Sequence, residues 1–340
     1  MRFYNIIITP VEGAPITFST IGLTSPDNYS ALQVELDIYE GVQHSLAKQG
    51  GTLKIKGIDY YDISTLNLNP LTTTGAEYLF ASIQIFVGMS AGLPYAKPQQ
   101  IGMILNGSIQ RAFANWQGNQ VSLDIVLNGL PSKDYIKRNI VWSWELGQDM
   151  FSAIELALTT AYALPVLGEI SPDLICQSPD NGRYDTITAF SQMIKRQSKA
   201  VSVNPLYSGV NIVEDIYGFT VYDSTTVSQT IKLINYEDMI GNATWIDGAT
   251  IQIKLVMRGD LALNQYIKLP DRALALATSA LNPLGYYKNS IPFDFGVLSI
   301  GEIHHMGNSR QADANSWVTV LNCYVVTGEQ ISDYLNTAIQ

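Results

Sequence analysis

Residues 102–113 read GMILNGSIQRAF and lead through a polar turn into VSLDIVLNG at 121–129. Residues 296–307 read GVLSIGEIHHMG and lead through a turn into VTVLNCYVVTG at 318–328. Each is a glycine-initiated strand, a polar turn and a Val-rich strand closing on glycine, which is the pattern of a β-hairpin. Any two hairpins share the period-two alternation of half-buried strands, so the likeness can arise without duplication. Taken as a repeat, it implies two copies of one β unit in a single chain, separated by whatever lies between them.

The flanking sequence is read the same way. Leu32, Val34, Leu36 and Ile38 alternate with polar partners, and Leu53 and Ile55 follow a turn expected at Gly50-Gly51. A strand is expected from Tyr78 through Phe86, and the 102–113 and 121–127 strands join at Gln117-Gly118-Asn119. Many short strands with regular turns suggest a barrel or a sandwich over residues 1–135. The character changes near Trp142. Apolar Met150, Ile154, Leu158 and Ala161 fall at helical spacing between Leu146 and Ala163, closed by Pro165. A second helix follows Asp180-Asn181-Gly182 with Ile187, Phe190 and Ile194 on one face, and strands return at Val210–Val213 and Phe219–Tyr222. Residues 136–225 thus read as a compact α+β unit. From Thr226 onward the chain is β again, with Ile251, Ile253 and Leu255 alternating and a long linker at Asp271–Tyr287.

Composition narrows the function. Of 340 residues, 46% are hydrophobic and only 15% charged, against about 25% charged in an ordinary globular chain. Much of the surface must therefore be Asn, Gln, Ser and Thr, which suits subunit contacts, although a neutral-surfaced monomer would share the trait. The formal net charge is −10 and the pI about 4.7, which argues against a protein that grips phosphates. Acidity does suit a wall that nucleic acid slides past. Cys176 and Cys323 form no paired motif, so free thiols in a reducing compartment are expected. The apolar run Phe3–Ile8 is too short for a secretory signal, and no stretch approaches the ~18–20 apolar residues of a membrane helix. The expectation is a soluble protein made in a cytoplasm, with no membrane insertion.

No constellation makes a convincing active site. Adjacent His304 and His305 would point to opposite faces of a strand and cannot share a metal, and His44 has no partner at useful spacing. Nucleophile-elbow, phosphate-loop and dinucleotide motifs are absent. The acidic pair Glu237-Asp238 could in principle do glycosidase chemistry. The 19 tyrosines and five tryptophans fit subunit interfaces or a carbohydrate-binding face, although the doublets Tyr60-Tyr61 and Tyr286-Tyr287 split their rings across a strand. Arg258-Gly259-Asp260 spells an adhesion tripeptide but reads as a turn between strands. The sequons at Asn28, Asn106 and Asn242 mean nothing without secretion. No cofactor or metal is expected.

Taken in order, several segments resemble the baseplate hub proteins of contractile-tailed bacteriophages. Trp144-Glu145-Leu146-Gly147 with the helix at Met150–Ala161 resembles the start of that family's helical domain, and Asp180-Asn181-Gly182-Arg183-Tyr184 the lead-in to its second helix. Met239-Ile240-Gly241-Asn242-Ala243-Thr244-Trp245 resembles the start of its second barrel. LVMRGDLALNQYIKLP (255–270), IHHMGNSR (303–310) and Trp317-Val318-Thr319 complete the pattern. Order and spacing over residues 30–330 carry the likeness. One departure is Leu263-Asn264, where a glycine would be expected before the strand at Tyr266.

The resemblance implies a mainly β, overall α+β chain. Two tube-like antiparallel β-barrel domains, at 1–135 and 226–340, would flank a smaller α+β domain with two helices at 136–225. It implies structural roles for Trp144, Gly147, Gly241, Trp245, His305 and Trp317, and no catalytic residue. It further implies a homotrimeric, non-enzymatic virion protein whose six barrels form a pseudo-sixfold ring between the sixfold tail tube and the threefold central spike. The tape-measure protein would be a neighbour, and genomic DNA would pass without specific binding. Assembly would take place in the host bacterial cytoplasm. A β-rich carbohydrate- or receptor-binding tail module remains the alternative.

Overall fold

The computed structural model describes residues 2–21, 31–40, 50–58, 63, 68, 71–72, 78–89, 97–129, 139–204, 207–223, 231–246, 250–270 and 297–325. His44, Asn28, the two tyrosine doublets and the expected linker lie outside them. The chain divides into two compact units, one gathering the described residues of Met1–Glu40, Gln49–Ser132 and Thr230–Gln340, the other those of Lys133–Gln229.

The strands of the first unit are β1 (Arg2–Thr9), β2 (Ile16–Ser19), β3 (Gln33–Glu40), β4 (Gly50–Lys56), β5 (Leu71–Thr72), β6 (Tyr78–Leu79), β7 (Ser82–Met89), β8 (Gly102–Gln117) and β9 (Gln120–Asn128). Those of the second unit are β10 (Ile140–Trp144), β11 (Val166–Glu169), β12 (Asp180–Tyr184), β13 (Asn211–Asp215) and β14 (Gly218–Tyr222). The first unit resumes with β15 (Lys232–Leu233), β16 (Thr244–Trp245), β17 (Thr250–Val256), β18 (Tyr266–Lys268), β19 (Val297–Asn308) and β20 (Trp317–Val325).

Apart from the short β5–β6 pair, the first unit is one thirteen-stranded sheet in the order β16-β17-β20-β19-β3-β4-β9-β8-β7-β1-β2, with β18 also on β19 and β15 on β18. Among the described residues no pairing closes either half into a barrel. Alternation fixes the faces. Val34, Leu36 and Ile38 on β3, Leu53 and Ile55 on β4, and Leu123, Ile125 and Leu127 on β9 are all buried on one side, and a one-residue slip would turn them to the other. Two apolar cores result. One gathers the early strands with Met257 and Trp317, the other gathers Ile234 to Cys323.

The sequence echo is a structural repeat with matched register. Over all seven pairs of each ladder, β17 meets β20 as β4 meets β9: Leu53 faces Ile125 as Ile253 faces Leu321, and Lys54 faces Asp124 as Lys254 faces Val320. Both hairpins shift register at one place, between Ile109 and Arg111 on β8 and between Ile300 and Glu302 on β19. The neighbours correspond too. β3 sets Asp37 against Thr52 as β16 sets Thr244 against Gln252, and β7 sets Ser82 against Ser108 as β18 sets Tyr266 against Ser299. The order β3-β4-β9-β8-β7 thus recurs as β16-β17-β20-β19-β18. Beyond that the copies diverge, since β1 joins β7 antiparallel and β15 joins β18 parallel.

Several local readings change. Gly50-Gly51 lies within β4, not in a turn: a side chain at Gly51 would sit 2.1 Å from the Asp37 carbonyl, so glycine lets β3 approach. Phe3–Ile8 is the middle of β1, paired along its length with β7. The glycine missing before Tyr266 is replaced by Asn264 at φ 60, since Asn tolerates the left-handed region. In the second unit, α1 starts at Met150, capped by Asp149, whose side chain accepts from the Ser152 amide at 2.8 Å, and ends at Tyr162. Asp180–Tyr184 is a strand paired with β10, and α2 runs from Ile187 to Val201 behind a Thr186 cap. Strands β11, β14 and β13 form a small mixed sheet.

Matched register makes a matched prediction. Leu53→Ala and Ile253→Ala are counterpart core truncations and should each lower unfolding free energy by about 2–5 kcal/mol. Urea denaturation of the purified chain checks this, and a loss below about 1 kcal/mol at either site would contradict the packing.

Candidate functional site

The place where the two repeats meet is the most specialised feature of the first unit. Strand β19 pairs through its second half with β3, from Ile303 opposite Glu40 to Asn308 opposite Glu35. Beside the backbone ladder lies a row of polar contacts. His304 Nε2 reaches Asp37 Oδ1 at 2.5 Å, Asn308 Nδ2 donates to Glu35 at 3.0 Å, and Lys56 pairs with the same carboxylate. The Ser309 amide donates to the Val34 carbonyl at 2.8 Å, and Ser309 Oγ accepts from the Val34 amide at 2.9 Å. Arg310 and Arg2 donate to the Ala31 and Asn308 carbonyls.

A second contact between the repeats is ionic and buried. Asp238, fully enclosed, takes Lys97 Nζ at 3.0 Å on one oxygen and Gln100 Nε2 at 3.0 Å on the other, with Arg258 Nη1 3.4 Å away. Arg258 also grips Asp260 through two N–H donors at 2.8 and 2.9 Å. Burial works to raise the Asp260 pKa, but the hydrogen bonds and charges of Arg258 and Lys232 outweigh it and hold the carboxyl below its usual range. The Gly259 amide donates to the Gln100 carbonyl at 2.9 Å. The adhesion-like tripeptide is therefore a turn whose charged members face inward. The Glu237-Asp238 pair is likewise committed: Asp238 is consumed by this cluster, while Glu237 is exposed and meets Lys97 at 3.5 Å.

The residues singled out by sequence fall in both units. His305 is fully buried opposite Ile38, with Nδ1 3.0 Å from Thr319 Oγ1 and Nε2 3.9 Å from the Glu40 carboxylate. Burial first, then the charge of His304, lower its pKa to about 3 in spite of Glu40, so the imidazole is neutral. Trp317 sends Nε1–H to the Gly88 carbonyl at 2.9 Å, placing a ring from the second repeat in the core of the first. Trp245 is buried on β16, and Gly241 precedes it at φ 78. In the second unit Trp144 is buried beside Trp142 at 6.1 Å and donates to the Gln148 carbonyl, across a turn that Gly147 makes at φ 81. Sequence reasoning missed Asp238, Arg258 and Lys97 as partners, because a contact spanning 141 positions leaves no local periodicity.

On the solvent side of the seam the sheet carries both signs of charge. Glu35, Asp37 and Asp124 stand with Lys54 around a groove that Phe113 also lines, and Lys54 reaches Asp124 at 3.4 Å. Among the described residues no three His, Cys, Asp or Glu side chains converge to hold a metal, and no helix is long and apolar enough to cross a membrane.

The fold is one found among phage tail proteins. The 43 kDa tail protein of prophage MuSo2 from Shewanella oneidensis matches with a TM-score of 0.53 at 6% identity, over 96% of this chain and 98% of that one. The E. coli c3393 protein is a type VI secretion component described as structurally similar to the T4 tail proteins gp27 and gp5. It matches with a TM-score of 0.51 at 8% identity, over 88% of this chain and 76% of that one. No protein-family model and no curated protein matches the chain.

Two measurements probe the contacts between the repeats. The His305 pKa is lowered on folding, so the stability it contributes is full above its ordinary value of 6.5 and is lost as pH falls from there toward about 3. Wild-type unfolding free energy should carry an excess slope of up to about 1.4 kcal/mol per pH unit in that window relative to His305→Gln. Parallel slopes in urea titrations of the two proteins would refute the burial. Arg258→Met should cost about 3–5 kcal/mol, because it takes from Asp260 its two N–H donors and from buried Asp238 one of its two cations. A shift in the urea midpoint reads this out.

Proposed function

We propose that this chain is a non-enzymatic structural subunit of a contractile phage tail, the baseplate hub that joins the sixfold tail tube to the threefold central spike. The observation that carries the reading is the strand repeat, two copies of one five-strand order in matched register within a single sheet. A chain with two like modules lets a cyclic trimer present six like positions, which is what a joint between threefold and sixfold partners requires. The shared fold with the MuSo2 tail protein adds weight.

In this reading the segments 1–135 and 226–340 each build one tube-like barrel, completed by contacts beyond those the described residues make, and 136–225 is the intervening α+β domain. The homotrimer meets the tail tube or its initiator, the spike and the tape-measure protein. The mixed-charge face around Lys54 and Asp124 lines the channel and offers phosphates no net positive grip, so genomic DNA passes unbound. Trp144, Gly147, Gly241, Trp245, His305 and Trp317 hold cores and turns and do no chemistry. The protein belongs to the tail baseplate of the virion and assembles in the host bacterial cytoplasm.

Light scattering of the purified chain at tens of micromolar should give the mass of three subunits, and negative-stain images an annulus of threefold or pseudo-sixfold outline. A monodisperse monomer would sink the proposal.

A further inference from the structure

The small sheet of the second unit ends on an open edge. Its strands run in the order β11-β14-β13, and among the described residues no strand pairs with β11 on the side away from β14. The parallel ladder sets Val166 opposite Phe219 and Gly168 opposite Val221, and the Phe219 amide donates to the Pro165 carbonyl at 3.0 Å. Parallel ladders use alternate residues of a strand, so Leu167 and Glu169 bond to β14 while the main chain of Val166 and Gly168 turns to the open side. Gly168 is exposed, and a side chain there would sit 1.9 Å from the Val221 carbonyl, so only glycine lets β14 approach. Leu167, its neighbour, is 51% exposed.

Beside that edge lies a hollow of about 420 Å³, lined by Gly168 and Ile170 of the edge and by Met150, Phe151 and Ile175. A second hollow of about 670 Å³ adjoins it, sharing Ser171, Pro172 and Ile175. The lining is largely apolar, and its charge is of one sign. Asp149 lines the first hollow and Asp173 the second, and no lysine or arginine lines either. Glu169 adds a third carboxylate, one that already has an interaction of its own. We propose that β11 takes as a fourth strand an extended segment of a second protein, in which apolar residues alternate with lysine or arginine. Its main chain bonds to the open edge at Val166 and Gly168. An apolar side chain enters the hollow beside Met150 and Ile175, and the cations face Asp149 and Asp173. The proposal stands on the second unit alone and does not draw on the ring.

Synthetic peptides test it on the full-length chain. Fluorescence anisotropy should show a labelled Lys-Val-Lys-Val-Lys-Val-Lys peptide binding saturably. It should bind about tenfold or more tightly than its Glu-Val counterpart or a Lys-Gly peptide of equal charge. Amide hydrogen exchange over residues 165–170 should slow when the peptide is bound, because strand addition protects the outward amides; attraction by charge alone leaves it unchanged. Asp173 is exposed and lies outside the strands, so Asp173→Lys should weaken binding by about fivefold while leaving the circular dichroism unchanged. Absence of binding at millimolar peptide overturns the proposal. So does equal binding of either control peptide, unchanged exchange over 165–170, or unchanged affinity of the Asp173→Lys variant. Each of these results leaves the trimer reading standing, and a monomeric chain that binds the peptide overturns only the trimer.

Discussion

Everything in the first unit depends on the six backbone pairs that lay β3 against β19. Without them the first and last thirds of the chain would be two separate sheets, each with an unpaired strand edge, and such edges invite wrong partners. With them the sheet is continuous over thirteen strands, and the two cores are held at a fixed offset. Residues that reinforce the pairing come from both ends of the chain, such as Arg2 on the Asn308 carbonyl and Trp317 on the Gly88 carbonyl. Closing so long a loop costs entropy that grows only slowly with its length, so a modest number of good contacts suffices.

The nature of those contacts explains why the joint forms in one register. Backbone ladders alone hold a strand equally well two residues either way. What discriminates is the pattern of side chains: buried Ile38 against buried His305, Asp37 within reach of His304, Glu35 gathering Lys56 and Asn308. The Asp238–Arg258 cluster does the same at a distance from the ladder. A buried ion pair adds little net stability over an apolar substitute, yet misplacing one partner is costly. Such clusters specify geometry more than they strengthen it.

How much of this was legible follows from range. Period-two alternation is local, so Val34 to Ile38, Leu123 to Leu127 and Ile251 to Leu255 announced their strands, and the hairpin echo survived because two strands and a turn sit within thirty residues. Helix faces at Met150–Leu158 and Ile187–Ile194 were visible for the same reason. Gly50-Gly51 was misread because glycine marks a turn as readily as a close strand approach, and only the Asp37 carbonyl distinguishes them. Phe3–Ile8 was weighed only as a secretory signal and found too short, and its place along β7 is a pairing no local pattern names. The seam and the Asp238 cluster were invisible. His304 and Asp37 are 267 positions apart and Lys97 and Asp238 are 141 apart, and nothing in Asp, Lys or His identity says which distant residue each will meet.

A duplicated module need not repeat the chemistry of its edges. Within the chain the junction is polar where it meets solvent, His304 with Asp37, and that pairing holds with both partners tethered. At the counterpart positions Phe113 stands where His304 does and Thr244 where Asp37 does, so that polar pair is not repeated. The same strand order therefore recurs with a polar pair at one copy's edge and an apolar side chain at the counterpart position of the other.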